Sequence, residues 1–125
     1  MINIDLKFFD SADKYGVIKA TVHKTGKLGF SSGASKLMNI ANVEGFNIGM
    51  NSSDNEDKSL YLVPVNNVES EKSFKVVKAG EYFYLFIKSI MRELKIDYKN
   101  ESVIYEIEEI EGNVKYYKLT RRESK

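Results

Sequence analysis

The chain has 125 residues and a mass of 14.3 kDa, enough for one compact domain or two very small repeats. Its 42% apolar and 30% charged residues exclude a disordered chain. The absence of Cys excludes disulfides, thiolate catalysis and Cys-ligated metal centres, and one His with no Trp leaves little for the common catalytic sites. Nineteen Lys and Arg against eighteen Asp and Glu leave a net charge of +1. Dense, non-specific coating of nucleic acid is therefore not expected, although a local basic patch can hide in a balanced total. Only Arg92, Arg121 and Arg122 carry a guanidinium. Arg is the better reader of base edges, so this ratio tilts against base-specific recognition.

Ile2, Ile4, Leu6 and Phe8 recur at a period of two and predict an N-terminal strand, with Asp5 and Lys7 interrupting any signal-type apolar core. No apolar run approaches the roughly 20 residues that a membrane span needs, so a cytoplasmic protein without membrane association is expected. Ser11 to Lys14 reads as a turn. From Val17 to His23 alternation returns, with Ile18, Ala20 and Val22 on one face and Lys19, Thr21 and His23 on the other. Lys24-Thr25-Gly26-Lys27 predicts a tight hairpin, because glycine supplies positive φ. Leu28 and Phe30 continue as a short strand. Ser31 or Ser32 then caps a helix that runs to about Asn39, its apolar side formed by Ala34, Leu37 and Met38.

A strand is predicted at Phe46, Ile48 and Met50, followed by a polar loop over Asn51–Ser59 and a strand at Leu60–Val63 halted by Pro64. The segment Asn66–Ser73 is polar and reads as a linker. Beyond it the first half recurs: Val22 to Phe30 aligns with Val76 to Tyr84 on the glycines Gly26 and Gly80. Met38-Asn39-Ile40 aligns with Leu94-Lys95-Ile96, Phe46 and Ile48 with Val103 and Tyr105, and Leu60 and Leu62 with Tyr117 and Leu119. Alternation puts Tyr82, Tyr84 and Phe86 on one core-facing side, with Phe83 pointing out. A helix is expected over Phe86–Lys95, carrying Lys88, Arg92 and Lys95 outward. That face would contact phosphate only if it lies beside the basic hairpins. The expected organisation is a single domain over residues 1–125: N-terminal strand and turn at 1–16, repeats at 17–65 and 74–120, linker at 66–73 and a basic, frayed tail at 121–125. The fold class is mainly β with short helices, the two strand-turn-strand-helix-hairpin repeats sharing a small barrel. The shared core is expected to include Ile18, Val22, Leu28, Phe30, Val76, Tyr82, Tyr84 and Leu85.

Lys24-Thr25-Gly26-Lys27-Leu28-Gly29-Phe30-Ser31, followed by Leu37-Met38-Asn39-Ile40 and by a last strand ending near Pro64, resembles the AbrB-like swapped-hairpin family. Two such halves in one chain resemble its tandem, MraZ-like arrangement. The resemblance implies interleaved hairpins closing a β-barrel and DNA contacts from basic residues of the first hairpin. The matching positions are Lys19, Lys24 and Lys27, with Lys75 and Lys78 in the second half. The departures are Lys in place of Arg near the turn, Glu81 opposite Lys27, and Ser31 where a Pro normally precedes the helix.

Other constellations have plain structural readings. His23 with Ser31 or Ser32 lacks any motif that fixes a catalytic geometry. Gly26, Gly29 and Gly33 match neither the dinucleotide nor the P-loop spacing. Asp54, Glu56 and Asp57 lack the central Gly of a calcium loop and read as a solvated turn. Glu106, Glu108, Glu109 and Glu111 cover a hairpin turning at Gly112. No cofactor, metal, catalytic residue or small-molecule substrate is expected. The expected function is a non-enzymatic nucleic-acid-binding regulator using Lys19, Lys24, Lys27, Lys75 and Lys78, with Ser31 and Ser32 donating to phosphate. The alternative is a protein-interaction or assembly module, binding a protein partner or a second copy through exposed Phe83, Tyr98, Tyr116 and Tyr117.

Overall fold

Period-two alternation turns Ala20 and Val22 inward on β1 (Lys19–Val22), and the glycine turn returns the chain as β2 (Lys27–Phe30) with Leu28 and Phe30 inward. In the computed structural model, which describes residues 4–8, 16–66 and 72–123, β2 runs into α1 (Ser32–Leu37). The Ser31 hydroxyl caps that helix by accepting from Ala34 N at 3.2 Å. The helix closes through Met38 into Asn39, a left-handed residue with φ 51, and a 3₁₀ turn at Ile40–Asn42. There follow β3 (Gly45–Gly49), β4 (Leu60–Val65), β5 (Ser73–Lys75), β6 (Val77–Ala79), β7 (Tyr82–Phe86), α2 (Lys88–Glu93), β8 (Val103–Ile110) and β9 (Tyr116–Arg121).

The nine strands form one antiparallel, barrel-like sheet in the order β5-β3-β4-β9-β8-β1-β2-β7-β6. Its two outermost strands, β5 and β6, are separated in the chain only by Val76, so one bent segment pairs with β3 at its start and with β7 at its end. Val76 N, at the bend, donates to Glu44 O at 2.9 Å. The sheet is thereby nearly closed, which leaves only short exposed edges. Leu28, Phe30, Phe46, Leu62, Leu85, Val103, Tyr105 and Leu119 fill its interior, and Ala34, Met38, Ile40 and Met91 plug it from the helices. Among the described residues no helix is long and apolar enough to cross a membrane.

Several expectations are corrected. Residues 4–8 form no strand, and Ile4, Leu6 and Phe8 are 71%, 71% and 83% exposed. A strand needs an edge to pair with, and the edges this sheet leaves are those of the three-residue strands β5 and β6, which offer little length for pairing. Ile2, the turn at Ser11–Lys14 and most of the expected linker lie outside the described residues. The strand at Leu60 runs through Pro64 to Val65 instead of halting. Pairing with β9 ends at Leu62 while pairing with β3 continues to Val65, so one side of that last stretch has no strand to serve and a missing N–H costs little. Residues 121 and 122 are not frayed: Arg121 ends β9 and binds Glu101 at 3.1 Å, and Arg122 binds Glu106 at 3.4 Å.

The largest correction concerns β7. Tyr82 and Phe86 face outward, 71% and 52% exposed, while Leu85 and Ile87 are fully buried and Phe83 packs against the core. The two hairpin turns differ in length. His23 N donates to Lys27 O at 2.8 Å around the three residues Lys24–Gly26, whereas Ala79 pairs with Tyr82 around Gly80 and Glu81 alone. Gly26 closes its turn and Gly80 opens its own, so aligning the glycines misplaces β7 by one residue, which reverses its faces. The helix accordingly starts at Lys88 and leaves Phe86 in the strand.

Candidate nucleic-acid interface

The first hairpin is pinned against α2. Gly26 has φ +90, and a Cβ built on it would lie 2.8 Å from Lys88 Cβ, so only glycine allows this approach. The Gly26 carbonyl accepts from Ile87 N at 2.9 Å. Lys24 is exposed in this turn, and Lys88 begins the helix packed against it. Lys88 was not among the expected contacts, yet the condition for it holds, because α2 begins at the basic hairpin.

Lys27 lies on the outer face of β2, in register with Phe86, while Gly29 is in register with Tyr84. Its ammonium sits 4.7 Å from the Tyr84 ring centroid and 5.7 Å from that of Phe86, and the two rings meet edge-to-face at 5.2 Å. Next to them His23 covers Gly29, whose Cβ, if present, would be 2.7 Å from the His23 Nε2. Lys78 on β6 is exposed, with its ammonium 6.0 Å from the Phe83 ring. No family model, curated protein or solved structure matches the chain.

The remaining expected residues are dispersed. Lys19 is half-buried on β1 in register with Glu106, on the side of the sheet where the acidic strand β8 runs, not in the hairpin turn. Lys75 is exposed on β5, in register with Gly45, across the bend from Lys78. Ser31 is not a free donor: its Oγ accepts from Lys19 N at 3.1 Å and from Ala34 N, and it donates to Val17 O at 2.7 Å. The hydroxyl is committed to tying the start of β1 to the helix. Ser32 is exposed at the first position of α1.

Of the aromatics expected on the surface, Tyr98 and Tyr117 belong to the core, and Phe83 is half-buried. Tyr116 packs on Tyr61 with centroids 6.1 Å apart. Apart from Phe8, the exposed rings among the described residues are Tyr82 and Phe86, with Tyr84 half-buried between them. They were concealed by the one-residue slip described above. The signal for them in the sequence is turn length: with Gly80 as the first residue of a two-residue turn, alternation places Tyr82, Tyr84 and Phe86 outward.

Charge is distributed unevenly. All three ion pairs among the described residues lie along β8, β9 and their flanks: Lys115–Glu109 at 3.1 Å, Arg121–Glu101 and Arg122–Glu106. Lys24, Lys27, Lys78 and Lys88 join none of them. In the polar loop Asp57 is spoken for in a different way. It accepts hydrogen bonds from the Tyr61 hydroxyl, Ser59 N at 3.0 Å and Asn51 Nδ2 at 3.3 Å, and the Tyr61 bond is the main cause of a carboxyl held well below its ordinary range. The same bond pushes Tyr61 up to about 12.

Proposed function

We propose that this chain is a non-enzymatic nucleic-acid-binding regulator in which two swapped-hairpin units of the AbrB-like type share one barrel. The strand pairing supports the tandem arrangement. If β1, β2, α1, β3 and β4 correspond to β6, β7, α2, β8 and β9, then β2 pairs with β7 and β4 with β9, each with its counterpart. The first strand of each half pairs with the third of the other, β1 with β8 and the β5–β6 segment with β3. That reciprocity is what a two-fold relation between halves requires. The helices agree as well, since Asn39 and Lys95 follow α1 and α2 with φ 51 and 58 and each precedes an isoleucine.

The observation that carries the binding reading is the charge division. Lys115, Arg121 and Arg122, at the two ends of β9, are paired with glutamates, whereas Lys24, Lys27 and Lys88 gather around the first hairpin with no acidic partner among the described residues. Such a cluster attracts phosphate by Coulomb attraction and counterion release, without reading sequence. Lys78 extends it along the neighbouring hairpin. The exposed Tyr82 and Phe86 favour the second reading, a protein-interaction module, because outward aromatic rings also mark protein contacts.

Fluorescence anisotropy with labelled duplex and single-stranded DNA, at several salt concentrations, separates the two. Three or four phosphate contacts predict a slope of log K against log salt of about −3, reduced by about one for each of Lys24→Glu, Lys27→Glu and Lys88→Glu. Absence of binding at tens of micromolar protein in low salt ends the nucleic-acid reading, and a partner pull-down that depends on Tyr82 and Phe86 would replace it.

A further inference from the structure

A cavity of about 610 Å³ opens where the polar loop, the exit of α2 and the ends of β8 and β9 meet, within the size range of small-molecule sites. Tyr105 lines it, 1% exposed, and because no buried side-chain polar atom among the described residues lacks a partner while its hydroxyl makes no hydrogen bond to them, that hydroxyl is the part of the side chain reached from outside. A hydroxyl without a protein partner is free to exchange water for an acceptor in the cavity. Arg121 is its cross-strand neighbour and also lines the cavity. Its guanidinium spends one Nη2 on Glu101 in a solvent-exposed ion pair, which is weak, and keeps its other donors. Leu94 and Ile96 supply an apolar wall, and Lys58 adds a second cation. The facing carboxylate, Asp57, is already hydrogen-bonded by Tyr61, Ser59 and Asn51.

We propose that this cavity binds a small molecule with a carboxylate head and a short apolar body. The carboxylate accepts from the Arg121 guanidinium and the Tyr105 hydroxyl, and the body lies along Leu94 and Ile96. Burial raises the Tyr105 pKa, so the hydroxyl keeps its proton, and hence its donor role, at neutral pH. The site uses none of the hairpin lysines and stands or falls independently of nucleic-acid binding.

The test is titration of phenylacetate into the isotope-labelled full chain, following backbone amide shifts at Leu94, Ile96 and Tyr105, with 2-phenylethanol as the neutral control. The expected result is saturable binding with a dissociation constant on the order of 1 mM, and markedly weaker binding of the alcohol. Tyr105→Phe should weaken phenylacetate about five-fold and Arg121→Gln about ten-fold. Because Tyr105→Phe removes a hydroxyl with no hydrogen-bond partner among the described residues, it should leave the melting temperature of the free protein essentially unchanged. No saturable shift at about 20 mM, equal binding of the alcohol, an unaffected Tyr105→Phe variant, or a lowered melting temperature for that variant would each overturn the proposal.

Discussion

Truncating Leu85 and truncating Tyr84, adjacent residues of β7, should have very different consequences. Leu85 is fully buried and sits in register with Leu28, itself fully buried on β2, so Leu85→Ala opens a cavity between two strands that cannot easily collapse. Leucine-to-alanine changes at such sites cost about 2–5 kcal/mol, and the well-paired sheet around this one places it near 3 kcal/mol. Tyr84 is half-buried on the outer face, where its ring meets the Lys27 ammonium and the edge of Phe86. Losing those contacts costs about 1 kcal/mol. Urea unfolding followed by far-ultraviolet circular dichroism reads both. For a chain of this size the Leu85 variant should lose about 2 M in midpoint and the Tyr84 variant less than 1 M, with slopes unchanged. The reverse order, or equal losses, would mean that β7 presents its tyrosines inward, and the assignment of its faces would be wrong.

Ser31→Ala should cost about 1–2 kcal/mol in the same unfolding assay, because one hydroxyl makes three hydrogen bonds, while leaving DNA affinity unchanged. Gly26→Ala should destabilise by about 2 kcal/mol or more, from the positive φ and the contact with Lys88, and should lower DNA affinity by displacing α2 from the hairpin, readable by anisotropy. For Asp57 the folded pKa lies below the ordinary 3.8, so its contribution is full above that pH and is lost as pH falls below 3.8 through the folded pKa. Tyr61 is raised from 10.0 to about 12, so its contribution is present below pH 10.0 and lost as pH rises toward 12. Tyr61→Phe should therefore flatten the decline in urea midpoint on acidification below pH 3.8, and an unchanged decline would show that the hydrogen bond is not linked to folding.

The sequence by itself determined the local grammar of the chain. Alternation at Ala20, Val22, Leu28 and Phe30, the positive-φ glycine at Gly26 and the Ser31 cap were all readable, because each is fixed by backbone sterics or by near neighbours along the chain. The mainly β class followed from the number of such segments. Tertiary structure alone decided the rest. Whether the alternating Ile4, Leu6 and Phe8 pair depends on a free sheet edge, which the β5–β6 segment reduces to short lengths. Whether Arg121 is a loose tail or a strand residue beside Tyr105 depends on where β9 lies against β8. Whether Tyr84 or Leu85 faces the core depends on one residue of turn length, and no periodicity can report that phase, since both readings alternate equally well. Lys88 joins Lys24 and Lys27 only because β2 and β7 pair across half the chain. Such long-range pairings rest on burial summed over the whole barrel, a quantity that no local stretch of sequence contains.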